Sequence, residues 1–184
     1  LGLDTTGMIL ALLVTQIVAV PFAIWFSKFA EKIGSINMIT IAIGVYFIIC
    51  VLGFIMGYGI EEGFLSISQA QSMFWVLAVL VGTCQGGIQA LSRSFFGKLI
   101  PPARSNEFFG FFDIFGKFAA VIGPSLYAFI TIASGRSSYG ILSIILLFAA
   151  GGFIILVSRK TLTIAEQRAI DSVNNSINDR IKPT

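Results

Sequence analysis

The sequence contains no histidine and little charge, since only 11% of its 184 residues are Asp, Glu, Lys or Arg. A soluble domain carries about 25% charged residues. The absence of histidine excludes imidazole catalysis, histidine metal ligands and a Ser-His-Asp triad. The only cysteines, Cys50 and Cys84, lie in apolar stretches, where they are typical of core packing. We therefore expect no catalytic residues, no metal site and no cofactor, and hence no enzyme.

Long apolar stretches dominate what is present: 56% of the residues are hydrophobic and 18 are Phe. No stretch alternates apolar with polar residues, so the pattern predicts helices and no strands. A net charge of +3 gives no indication of a nucleic-acid partner. We predict an all-α membrane protein whose five helices each cross about 30 Å of hydrocarbon. They span about 6–26, 37–57, 73–93, 107–131 and 138–158.

The connections between these spans predict the orientation of the chain in the membrane. One side carries seven cations, namely Lys28, Lys32, Arg93, Lys98, Arg104, Arg159 and Lys160. The other side carries one cation, Arg136, together with Glu61 and Glu62. Lys and Arg concentrate in cytoplasmic loops, so residues 27–36, 94–106 and 159–184 are predicted to be cytoplasmic.

Residues 160–184 differ in composition from the membrane domain, residues 1–159. This tail is polar, but apolar residues recur at helical spacing from Ala165 to Ile181. The pattern allows a surface helix, and its three asparagines and Pro183 are equally compatible with a disordered tail. Because Leu1 is not a start methionine and no signal-peptide pattern precedes the first span, we expect the chain to be part of a longer protein.

Five polar residues within or beside the apolar spans are the candidate functional residues. Polar groups in hydrocarbon are costly and usually face a cavity or a partner helix, where they mark a path for a solute or proton. They are Gln85, Gln89, Arg93, Asp113 and Lys117.

Each candidate also has a purely structural interpretation. Gln85 and Gln89 are one helical turn apart and line a solute cavity or bond to a neighbouring helix. Arg93 is a cavity residue or lies at the cytoplasmic end of its helix, where a cation complements the dipole. Asp113 and Lys117 form a charge pair on one helix face that is static or takes part in gating.

Two glycine patterns concern helix packing and bending. Gly82 and Gly86 are four residues apart, a spacing that allows a neighbouring helix to approach closely. Gly123-Pro124 lies inside the fourth span, where the missing backbone donor of proline predicts a hinge.

The connection after the first span is similar to the signature loop of the major facilitator superfamily, Gly-x-x-x-Asp-Arg-x-Gly. Glu31 matches the acid, Lys32 the base and Gly34 the last glycine, and Lys28 lies in the same loop. Ser27 departs from the pattern at the first glycine. A charged loop of this kind can pair with a neighbouring helix end and stabilise one conformer, or simply set topology.

Residues 82–124 resemble a particular branch of this superfamily, the autophagy-related vacuolar amino-acid effluxers and their bacterial homologues. The resembling residues are Gly86-Gly87, the run from Gln89 to Ser94, Ile100-Pro101, the run from Glu107 to Gly110, Gly116-Lys117 and Gly123-Pro124.

The resemblance implies a twelve-helix transporter of two six-helix halves, of which this chain would supply the last five helices and a cytoplasmic tail. In that fold the helices that begin each three-helix repeat line the cavity, and the third span takes this role. A midplane site needs both halves, so the partners implied are the missing N-terminal helices, the lipid bilayer and a small polar solute.

Two functions from different classes follow. One is part of a secondary-active transporter that moves a small polar metabolite through alternating access in a bacterial plasma membrane. The resemblance implies amino acids as the metabolite. The other is a membrane scaffold or interaction protein without a solute path. Water access to Gln85 and Gln89 discriminates between them.

Overall fold

The computed structural model describes the backbone of residues 5–181 and the side chains of residues 6–101 and 103–172. Five helices, each long and apolar enough to cross a membrane, make up this part of the chain. They are α1 (Thr5–Ile33), α2 (Ser35–Glu61), α3 (Ile67–Leu99), α4 (Ser105–Ser134) and α5 (Ser137–Ile181), with a 3₁₀ turn at Pro102–Arg104. The predicted all-α membrane fold with five spans is confirmed.

All five helices extend beyond the predicted apolar spans, and α5 extends the furthest. α1 continues to Ile33, so the predicted cytoplasmic connection 27–36 is helical except at Gly34. Gly34 has φ 89°, a left-handed conformation that favours glycine, and the chain reverses there into α2. α5 continues without a break through most of the predicted tail, and residues 182–184 lie outside the described part. Hydropathy therefore marks the membrane and not the helix ends.

α1 and α3 pack through a stripe of small residues on each helix. On α1 the stripe is Ala11, Thr15 and Ala19, and on α3 it is Ala78, Gly82 and Gly86. A Cβ atom at Gly82 would lie 2.8 Å from the carbonyl oxygen of Thr15, and one at Gly86 would lie 2.8 Å from that of Ala19. The close approach predicted for the two glycines is confirmed.

A hydrophobic core joins the last turns of α1, the first turns of α2 and the second half of α3, and α5 packs against it through Ile155 and Leu162. Cys84 belongs to this core, as its apolar context predicts, and Cys50 is half-buried on α2. The core residues are Phe26, Ala30, Ile36, Met38, Ile39, Ala42, Cys84, Leu91 and Phe95.

α4 packs less closely than the other helices. Among the described residues it buries none, and it packs mainly on α5. Its contacts with α3 are made by side chains: the Phe96 ring stacks on Phe112 at 4.9 Å and meets Phe109 edge-on at 5.6 Å. α4 is one helix across Gly123 and Pro124, so a hinge there remains a prediction. The separation of α3 and α4 leaves a cleft between them.

Candidate functional site

The cleft between α3 and α4 brings together four of the five predicted polar residues. It has a volume of about 590 Å³. Its lining consists of Ile88, Gln89, Ser92, Arg93, Phe112, Asp113, Gly116, Lys117 and Ala120. We call these residues the α3–α4 cleft. Gln85, which lies one turn before Gln89 on α3, is half-buried and does not line the cleft.

An ion pair joins the two walls of the α3–α4 cleft. Arg93 Nη2 donates to Asp113 Oδ1 at 2.8 Å. The sequence interpretation paired Asp113 with Lys117, and the structure corrects this, because the long Arg93 side chain reaches across from α3. It also corrects the placement of Arg93 at a helix end: α3 continues to Leu99, and Lys98 occupies its last turn.

Lys117 lies one turn from Asp113 on α4 and forms no ion pair with any residue whose side chain the structure describes. Arg93 and Asp113 neutralise each other, so the α3–α4 cleft carries one net positive charge. Gln89 is exposed in the cleft and offers both a donor and an acceptor. Ser92 is less available, because its Oγ donates to the Ile88 carbonyl at 2.6 Å. These groups can bind a small polar solute by hydrogen bonds and charge.

The three charged residues of the signature-like motif lie on the last turns of α1, and its Gly34 follows the helix. Lys28 and Lys32 border a shallow pocket of about 240 Å³ with Trp25 and Phe29. Glu31 borders a different pocket, of about 480 Å³, on the side that faces α5. Within the described side chains, these three charged residues form no ion pair, so a locking role for Glu31 remains a prediction.

A second polar cluster, which the sequence did not reveal, lies at the beginning of α2, the end of α3 and the second half of α5. Glu166 of α5 is only 9% exposed and accepts a hydrogen bond from Ser35 Oγ at 2.6 Å. Lys98 Nζ lies 3.6 Å from the same carboxylate oxygen. Arg159 Nη2 donates to Asn37 Oδ1 at 2.7 Å. We call these five residues the Glu166 cluster; it joins the extension of α5 to the beginning of α2 and the end of α3.

The Glu166 cluster leads to a stability prediction. Glu166→Leu should lower the free energy of unfolding by about 1–3 kcal/mol, because Ser35 is buried and would lose its acceptor. Glu166→Gln should cost less, since its amide oxygen can still accept from Ser35. The thermal unfolding midpoint of the full-length protein in detergent measures both. Asp171→Leu, an exposed change on the same helix, is the control. Equal midpoints for Glu166→Leu and this control would contradict the prediction.

A third cluster joins two helix connections at the opposite end of the molecule. Arg136 Nη1 donates to Glu62 Oε1 at 2.6 Å. The hydrogen bond and charge of Glu62 raise the pKa of the Arg136 guanidinium above its ordinary value. Both the backbone N–H and the hydroxyl of Ser138 donate to the Glu61 carboxylate. The charges used to predict orientation thus pair with each other at this end.

No group of three or more Cys, Asp or Glu side chains suited to a metal ion occurs in the described part of the chain. The polar side chains that line the α3–α4 cleft offer hydrogen bonding and charge recognition.

Comparison with known proteins assigns the chain to a family. The family model described as vacuole effluxer Atg22 like matches residues 1–166. The chain is 42% identical over 172 residues to an uncharacterized MFS-type transporter, YxiO, of Bacillus subtilis. The aligned segment covers 93% of this chain and 37% of that protein. It is also 42% identical over 69 residues to autophagy-related protein 22-1 of Emericella nidulans, covering 38% of this chain and 12% of that protein.

The alignment with a yeast relative is longer than the alignment with the Emericella nidulans protein. Autophagy-related protein 22 of Saccharomyces cerevisiae is 34% identical over 87 residues, covering 46% of this chain and 16% of that protein. The chain thus spans less than two fifths of the length of these relatives. No solved structure matches it significantly. The family match covers all five helices, and the chain belongs to the Atg22-like vacuole effluxer family of major facilitator-type membrane proteins.

Proposed function

We propose that this chain is part of a secondary-active transporter that moves a small polar metabolite across a bacterial plasma membrane. The observation that carries the proposal is the α3–α4 cleft, which gathers Gln89, Arg93, Asp113 and Lys117 from two membrane-spanning helices. Charged and hydrogen-bonding side chains at this depth are expensive unless they face water, a partner or a solute. The resemblance to the vacuolar amino-acid effluxers makes amino acids the proposed solute class.

Alternating access is the proposed mechanism, and the loose packing of α4 supports it. α1, α2, α3 and α5 share a core, whereas α4 buries no residue that the structure describes. One helix that repacks against a stable group of four could open and close the α3–α4 cleft. The remaining helices of the longer protein would form the other wall of the path, and the cytoplasmic placement of the tail follows from the cation asymmetry.

The experiment is cysteine labelling at Gln89 in the full-length transporter, with Cys50 and Cys84 replaced by serine. We expect a membrane-impermeant, water-soluble thiol reagent to label Gln89→Cys and the amino-acid solute to slow the labelling. Leu146→Cys is the matched control, since Leu146 is 65% exposed in an apolar stretch of α5 and does not line the α3–α4 cleft, so the reagent should label it slowly. Labelling of neither position would favour the scaffold function instead.

A substitution tests whether Gln89 takes part in recognition. Gln89→Ala should reduce solute transport at least tenfold at equal expression, because a binding site built around a hydrogen bond loses much when the partner is removed. Gln16→Ala, which removes an exposed glutamine on α1 outside the cleft, is the control. Unchanged transport in Gln89→Ala would show that Gln89 has only a packing role.

A further inference from the structure

The charge balance of the α3–α4 cleft leaves one cation without a counter-ion. Asp113 is the only carboxylate in the lining, and it already accepts from Arg93 at 2.8 Å. Lys117 borders the same cleft and has no carboxylate partner among the side chains that the structure describes. An ammonium group within a membrane-spanning helix needs compensation, which water, a neighbouring residue or a bound anion can supply.

The other groups of the cleft indicate which of these compensates Lys117. The hydroxyl of Ser92 donates to a backbone carbonyl and the remaining lining is apolar or glycine, apart from Gln89. Gln89 lies on α3, across the cleft from Lys117 on α4. An ammonium and a primary amide on opposite walls provide charge and directional donors for a small anionic group.

We infer that Lys117 binds a carboxylate of the transported solute, with Gln89 donating to the same solute from the opposite wall. The inference deepens the proposed function and rests on it. A carboxylate fits better than a phosphate, because a phosphate monoester carries a charge of about −1.5 to −2 and is best matched by several cations. Here the second cation, Arg93, is already paired with Asp113.

The test compares solutes that differ only in the carboxylate. The probes are the proteinogenic amino acids and their corresponding amides, added to the purified full-length transporter while its thermal unfolding midpoint is followed. At least one free amino acid should raise the midpoint, and its amide should not. Lys117→Gln should weaken the apparent affinity about ten- to hundredfold, in line with the loss of a charged hydrogen bond. Lys117→Arg, which keeps the charge, should retain most of the affinity.

Two controls separate the inference from folding defects and from the proposed function. Lys160→Gln removes an exposed cation on α5 outside the cleft and should bind as the parent does. Equal responses to acids and amides, a response to none of them, or unchanged affinity in Lys117→Gln would each overturn the inference. Labelling of Gln89→Cys in that situation would still support a solute path, whereas absence of labelling would count against the proposed function itself.

Discussion

Replacement of Gly82 and Gly86 by alanine is expected to lower the stability of the folded transporter. Each new methyl group would lie 2.8 Å from a backbone carbonyl oxygen of α1, too close for a real contact. The obstacle is backbone, so it cannot rotate away, and α1 must shift from its place. Overpacking of this kind costs about 1–3 kcal/mol per site, and the double variant should lose more than either single one.

The measurement is the thermal unfolding midpoint of the full transporter in detergent, together with the yield of monodisperse protein. Gly53→Ala on α2 is the matched control, since a Cβ there meets no atom within 4 Å. Alanine is the better helix former by about 1 kcal/mol, so this control should be neutral or stabilising. If Gly82→Ala and Gly53→Ala behaved alike, α1 and α3 would not approach as closely as the structure shows.

Removal of either member of the Arg93–Asp113 pair is expected to reduce transport at least tenfold. Asp113→Asn leaves Arg93 without a counter-charge within the membrane, and Arg93→Gln leaves Asp113 exposed to the same penalty. The pair is the only ion pair between α3 and α4 in the described residues, and α4 buries no side chain there to compensate for its loss. The exchange Arg93→Asp with Asp113→Arg should recover part of the folded protein.

Transport and folding must be measured separately to assign a role to this pair. If the charge exchange folds but does not transport, the pair takes part in the conformational change; if it folds and transports, the pair is structural. Glu62→Gln, which breaks the pair with Arg136 between two helix connections, is the control and should leave transport and folding nearly unchanged. Parent-like behaviour of both single variants would contradict a role for the Arg93–Asp113 pair.

Local sequence rules succeeded where the relevant contacts are local. The number and order of the helices follow from apolar stretches, and the close approach at Gly82 and Gly86 follows from their spacing. The same rules gave the wrong partner for Asp113. A spacing of four residues favours Lys117, but the partner that is bonded is Arg93, 20 positions earlier on another helix.

The Glu166 cluster could not be predicted for the same reason. Ser35 and Glu166 are 131 positions apart, and neither stands out in its own segment. Glu166 lies in a polar stretch in which a buried carboxylate has no local signature. Only the continuation of α5 beyond the membrane brings the two side chains together.

The α1–α3 interface has a consequence for the order of events during synthesis. α1 packs mainly on α3 and only lightly on α2, its neighbour in the chain. After Ile33 has been added, the ribosome must synthesise all of α2 and α3, through Leu99, before that interface is complete. At 5–20 residues per second this takes about 3 to 13 seconds. Throughout that interval the small-residue stripe of the nascent α1 lacks its partner on α3, so α1 and α2 alone are not yet a folding unit.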